Sequence, residues 1–119
     1  YVAIDSLHVI GKLTLGENIG DFAGLSIAYT ALEKTLAGKP KQLIDGFTPQ
    51  QRFFLAWAQI WRTNSTPEAL RLQVRTDSHS PARFRTNGPL SNIPGFYEAF
   101  GCAEGSPMVR PQEVRPKIW

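Results

Sequence analysis

The chain has 119 residues, with 13 Lys and Arg against 10 Asp and Glu, and a net charge of +3 with both histidines neutral. That length holds one domain, and 42% hydrophobic with 19% charged residues excludes the composition of a disordered chain. The arginines at 52, 62, 71, 75, 83, 85, 110 and 115 form no dense basic run, which argues against nucleic acid as a partner. No apolar stretch approaches the ~20 residues of a membrane span, and Tyr1 to His8 lack the layout of a signal peptide. A lone cysteine, Cys102, permits no internal disulfide and no multi-thiolate metal site, so a metal here would need histidine and carboxylate ligands. Because the first residue is Tyr rather than Met, the chain is expected to be a piece of a longer protein, with any targeting segment upstream.

In chain order, residues 1 to 13 read as extended or irregular. Thr14 followed by Glu17 matches a capping box and predicts a helix from about Leu15 to Gly38 and Pro40, with Ile19, Phe22, Ala23, Ile27, Leu32 and Leu36 on its apolar stripe. Glycines at 16, 20 and 24 each cost about 1 kcal/mol against Ala in a helix, so their four-residue spacing predicts a stripe where another backbone packs closely. After a connector at Gln42 to Phe47, Thr48 and Pro49 open a second helix to about Thr63. Its Phe53, Phe54, Leu55, Ala56, Trp57, Ile60 and Trp61 predict a segment buried nearly all round. Ser65 or Thr66 with Pro67 and Glu68 starts a third helix to about Val74. Residues 77 to 89 read as an irregular loop, a short helix follows from about Ile93 to Phe100, and the rest is a Pro-rich tail. The fold class is mainly α.

Two carboxylates stand out. Glu17 and Asp21, four apart, lie on one helix face, where like charges repel unless a cation sits between them. Spacing alone also allows a plainer reading, with Glu17 closing the cap and Asp21 solvated; yet Gly16, Ile19, Gly20 and Gly24 make apolar, close-packed surroundings for solvated acids. His79 and Arg85 fall in the 77 to 89 loop, where binding groups collect, although either could be an ordinary surface residue. His8 is expected to pack or hydrogen-bond, and Cys102 to be a buried thiol.

These residues carry a resemblance. Leu13-Thr14-Leu15-Gly16-Glu17-Asn18-Ile19-Gly20-Asp21, with Gly24-Leu25, resembles the Glu-Asn-x-x-Asp helix of the neprilysin-like zinc metallopeptidases. Phe53 to Trp61 is similar to that family's aromatic helix, and Asp77-Ser78-His79-Ser80-Pro81 with Phe84-Arg85 to its substrate-binding loop. Phe96-Tyr97-Glu98-Ala99-Phe100 and Trp119 are similar to its last segment. The resemblance implies the helical C-terminal portion of a thermolysin-like (gluzincin) catalytic domain, completed by an N-terminal part of the same domain. It also implies Zn²⁺ as cofactor, peptides as substrates, Glu17 as the third zinc ligand, and Asp21 as hydrogen-bond partner of a zinc histidine. His79 is implied as oxyanion stabiliser, Arg85 as anchor for a substrate carbonyl, and Ile60 with Trp61 as wall of the pocket for a bulky apolar residue after the scissile bond.

The departures are equally specific. No His-Glu-x-x-His motif occurs, and the only histidines are His8 and His79, so the chain alone is expected to be inactive and to bind zinc weakly. Arg62 and Pro116 stand where animal members carry cysteines, which points to a bacterial-type member, exported to the periplasm or medium. A different class also fits the residues: a non-catalytic helical binding or packing module from a family member without zinc. The preceding ~150 residues, with or without the histidine motif, would separate the two.

Overall fold

The computed structural model describes residues 1 to 118, so Trp119 lies outside the described residues. The segment expected to be extended is a two-stranded antiparallel hairpin, β1 (Val2–Ile4) and β2 (Leu7–His8). Five helices follow: α1 (Gly11–Leu36), α2 (Pro49–Ile60), α3 (Pro67–Thr76), α4 (Ala82–Leu90) and α5 (Pro94–Phe100), with a 3-10 turn at Gln112–Val114. The chain is mainly α, as its sequence predicts.

Several boundaries move for local reasons. α1 begins at Gly11, four residues earlier than the capping pattern indicates, and its N-cap Ile10 offers no side-chain acceptor. Thr14 therefore sits inside the helix, its hydroxyl donating back to the Ile10 carbonyl at 3.3 Å, and no capping box forms with Glu17. α2 starts as expected, with Thr48 and Gln51 exchanging both capping-box bonds, but ends at Ile60. Thr66 caps α3, which runs two residues beyond Val74. The expected loop at 77 to 89 is the largest correction: Pro81 leads into α4, and Pro89 is accommodated in its last turn.

The core gathers around Phe54, only 1% exposed, with Leu25, Leu90 and Ile93 buried beside it. Tyr29 stacks on Phe54 with ring centroids 4.9 Å apart, and Phe96 meets it edge-on at 5.5 Å, geometries that aromatic quadrupoles favour. α1 thus turns Asp21, Phe22, Leu25 and Tyr29 inward, whereas Leu15, Ile19 and Ile27 are exposed. The glycine stripe meets nothing: a Cβ at Gly16, Gly20 or Gly24 would have no neighbour within 4 Å among the described residues. α2 is one-sided rather than buried all round, Ile60 being 66% exposed. Cys102 is half-buried and free. No described helix is long and apolar enough to cross a membrane.

Gly95 is the one glycine on which the core leans, because a Cβ there would clash with the hydroxyl-bearing edge of the Tyr29 ring. Burial, then the nearby Glu33 and Glu98 carboxylates, push the Tyr29 phenol up to about 12. Gly95→Ala should destabilise the chain by about 1–3 kcal/mol through overpacking. Gly20→Ala, with open space around it, should stabilise by up to about 1 kcal/mol from helix propensity. Urea unfolding of the two variants checks both signs.

Candidate functional site

Helical periodicity sets Glu17 and Asp21 on one side of α1, and α4 packs along that side. The Asp77–Pro81 segment, which joins α3 to α4, reaches the same surface. Arg85, on the first turns of α4, grips Asp21 with two hydrogen bonds, Nε to Oδ2 at 2.6 Å and Nη2 to Oδ1 at 2.7 Å. The side chains are 14% and 9% exposed, so the pair lies largely out of water, where a bidentate fork is strongest. Donating to the Asp21 carboxylate raises the Arg85 pKa further above its ordinary range.

Arg85 also joins two other elements. Its guanidinium lies over the Trp61 ring, 4.0 Å from the centroid, and its backbone carbonyl accepts from Trp57 Nε1 at 3.2 Å. One residue of α4 therefore holds α1 through its charge and α2 through its π contact and its carbonyl. Nη1 has no protein partner among the described residues.

His79 lies between two carboxylates. Its Nδ1 is 2.7 Å from Asp77 Oδ1 and its Nε2 is 3.1 Å from Glu17 Oε2. An ionised carboxylate only accepts, so Nδ1 carries a proton, and the ring's rotation is fixed at that end. Asp77 Oδ1 also accepts from the His79 backbone N–H at 2.8 Å, and this bond, followed by the imidazole, holds the Asp77 carboxyl below its usual range. The sequence signal for Asp77 is a carboxylate two residues before a loop histidine, the spacing of an Asx turn, which carries no role in the sequence reading above.

The structure thus brings Glu17, Asp21, His79 and Arg85 into one cluster, with Glu17 Oε2 also 3.9 Å from Arg85 Nη2. Trp61 borders it and lines an open cleft of about 360 Å³ together with Asn64, Leu70, Gln73, Ser80 and Arg85. Ile60, on the adjoining turn, points its side chain to solvent. His8 stands apart on the hairpin, its Nδ1 3.1 Å from the Ser6 carbonyl.

As a metal site the cluster is partial. No group of three or more His, Cys, Asp and Glu able to hold an ion occurs among the described residues. Asp21 is occupied by Arg85, and the one histidine at the cluster is turned on Glu17. Glu17 itself is half-exposed with no partner for Oε1 among the described residues, which fits a single carboxylate donor and no more.

The chain matches the model of "Peptidase family M13" over residues 2–115. It is 46% identical over 108 residues to an endothelin-converting enzyme homolog of Locusta migratoria, covering 88% of this chain and 15% of that protein. With endothelin-converting enzyme 1 of Homo sapiens it shares 44% over 120 residues, covering 98% and 15%. Among solved structures, zinc metalloprotease ZMP1 of Mycobacterium tuberculosis in complex with inhibitor superposes with a TM-score of 0.89 at 47% identity, covering 96% of this chain and 17% of that one. The chain therefore spans about 15% of the length of the curated relatives it matches.

With one free carboxylate donor, the 119-residue chain should bind Zn²⁺ only weakly, since tight sites gain affinity from several donors fixed together. Calorimetric titration should show no binding tighter than micromolar. Stoichiometric binding below that would mean that His8 or His79 joins Glu17 on the ion.

Proposed function

The chain belongs to peptidase family M13, and on that premise we propose that it forms part of the catalytic domain of a zinc endopeptidase acting on short peptides. The observation that carries this reading is the meeting of two α1 carboxylates with His79 and Arg85, the Asp21 to Arg85 pair spanning 64 residues.

In this reading Glu17 is the one metal ligand that the chain supplies, through the carboxylate whose Oε1 has no protein partner among the described residues. The other two ligands and the general base belong to a His-Glu-x-x-His helix, as the family resemblance implies. Zinc held by three protein ligands, when bound, provides a Lewis acid and acidifies water towards a pKa of roughly 7. Asp21 orients one zinc histidine; it is itself fixed by Arg85, and each of its oxygens keeps a further lone pair for that bond.

His79 serves as the oxyanion donor. Asp77 accepts from Nδ1–H, and when the ring also carries a proton on Nε2, as the imidazolium, that second N–H donates where charge develops on the attacked carbonyl; a preorganised donor of that kind acts mainly in the transition state. Arg85 anchors a backbone carbonyl of the bound peptide through Nη1, its other nitrogens being committed to Asp21. Ile60 and Trp61 form the wall that favours a bulky apolar side chain after the scissile bond. The chain alone, without the histidine motif, has no complete site and is inactive. Its single cysteine accords with a bacterial-type, exported member.

Three variants of the full-length enzyme test these roles. Glu17→Gln keeps the shape and removes the charge, so zinc content and activity should fall together, with partial recovery in excess zinc. His79→Phe should lower kcat by ~10²–10³ with KM and zinc content little changed. Arg85→Met should mainly raise KM, and it should also lower the melting temperature because it strands Asp21 in a nearly dry site. Zinc analysis, steady-state kinetics and melting curves distinguish the three; wild-type kcat in folded His79→Phe would remove the transition-state role.

A further inference from the structure

A second connection runs beside the ionic cluster and uses only neutral groups. Thr14 Oγ1 donates to the Ile10 carbonyl and accepts from Asn18 Nδ2 at 3.0 Å. That bond fixes the Asn18 amide with its oxygen turned away from Thr14, and Oδ1 accepts from Ser80 Oγ at 2.8 Å. Both ends of the relay are dry, Thr14 being 3% and Ser80 2% exposed. Asn18 follows Glu17 in sequence, and Ser80 follows His79.

We propose that Asn18 and Ser80 are positioning residues, a clamp that fixes the His79 backbone against the helix that carries Glu17. The inference rests on the oxyanion role assigned to His79 above. Asp77 controls the rotation of the imidazole but sits on the same loop as His79, so it cannot set the distance between that loop and α1. The Asp21–Arg85 pair holds α4, six residues further on. Beside the His79–Glu17 contact itself, which joins the two side chains whose spacing is at issue, the Ser80 to Asn18 bond, across 62 residues, ties the histidine's own segment to the glutamate's own helix turn through groups outside that pair. The alternative is that the two groups merely satisfy one another in the interior, as buried polar groups must.

These alternatives differ when both partners are removed. Deleting one partner leaves a buried group unpaired and costs stability, whereas deleting both leaves no orphan and is close to neutral. In the full-length enzyme, Ser80→Ala should lower kcat by about tenfold or more, since a misplacement of about 1 Å can cost 10²-fold, with KM and zinc content unchanged. The Asn18→Ala/Ser80→Ala double variant should regain melting temperature yet keep the low kcat. Combined with His79→Phe, Ser80→Ala should add no further loss. Recovery of kcat in the double variant, or an equal loss in the His79→Phe background, would show a purely structural bond and overturn the clamp. Low kcat in His79→Phe with wild-type kcat in Ser80→Ala would sink the clamp alone, and wild-type kcat in His79→Phe would sink the oxyanion reading and the clamp with it.

Discussion

The Asp21–Arg85 ion pair is the contact on which the arrangement of this surface depends. Stranding one partner of a buried pair costs about 3–5 kcal/mol, a large share of the 5–15 kcal/mol by which domains are usually stable. The pair also does more than neutralise charge. Because the guanidinium is planar, its edge can serve Asp21 while its face lies on Trp61, so α1 and the end of α2 are held at a fixed spacing by one side chain. Lysine could supply the charge but neither the fork nor the stacking surface.

Around that anchor the other polar groups fall into place by short local bonds. Asp77 orients His79 from two residues away, Thr14 orients Asn18 from one helical turn away, and both arrangements cost little because their partners are already close in sequence. The non-local bonds then join prearranged pieces. Such ordering lowers the entropy that the long-range contacts must overcome.

Some of this was legible in the amino-acid sequence and some was not. The four-residue interval between Glu17 and Asp21 fixes their shared face as soon as the segment is helical, and Thr48-Pro49 and Thr66-Pro67 mark helix starts through their own cap chemistry. The start of α1 is not legible because Ile10 leaves no signature as a cap, while Thr14, a good cap by type, spends its hydroxyl on a carbonyl one turn back. α4 is hidden in the sequence because Pro81, Asn87, Gly88 and Pro89 read as a loop; burial of Pro89 and Leu90 against the core overrides that propensity. The pairing of Arg85 with Asp21 had no local signal, since nothing in the spacing of two distant residues says that they meet. Only the resemblance placed them in one site.

The 26 residues of α1 make a rod of about 39 Å, and its local hydrogen bonds can form on their own timescale of under a microsecond. The contacts of its Asn18 and Asp21 face cannot. Bonds that bridge 62 and 64 residues require the whole intervening chain, including α2 and α3, to be wound back onto the rod. A species with α1 intact and α4 undocked would carry a largely helical spectrum without the Asp21–Arg85 pair, so in this protein helicity and closure of the polar cluster are separate order parameters of folding.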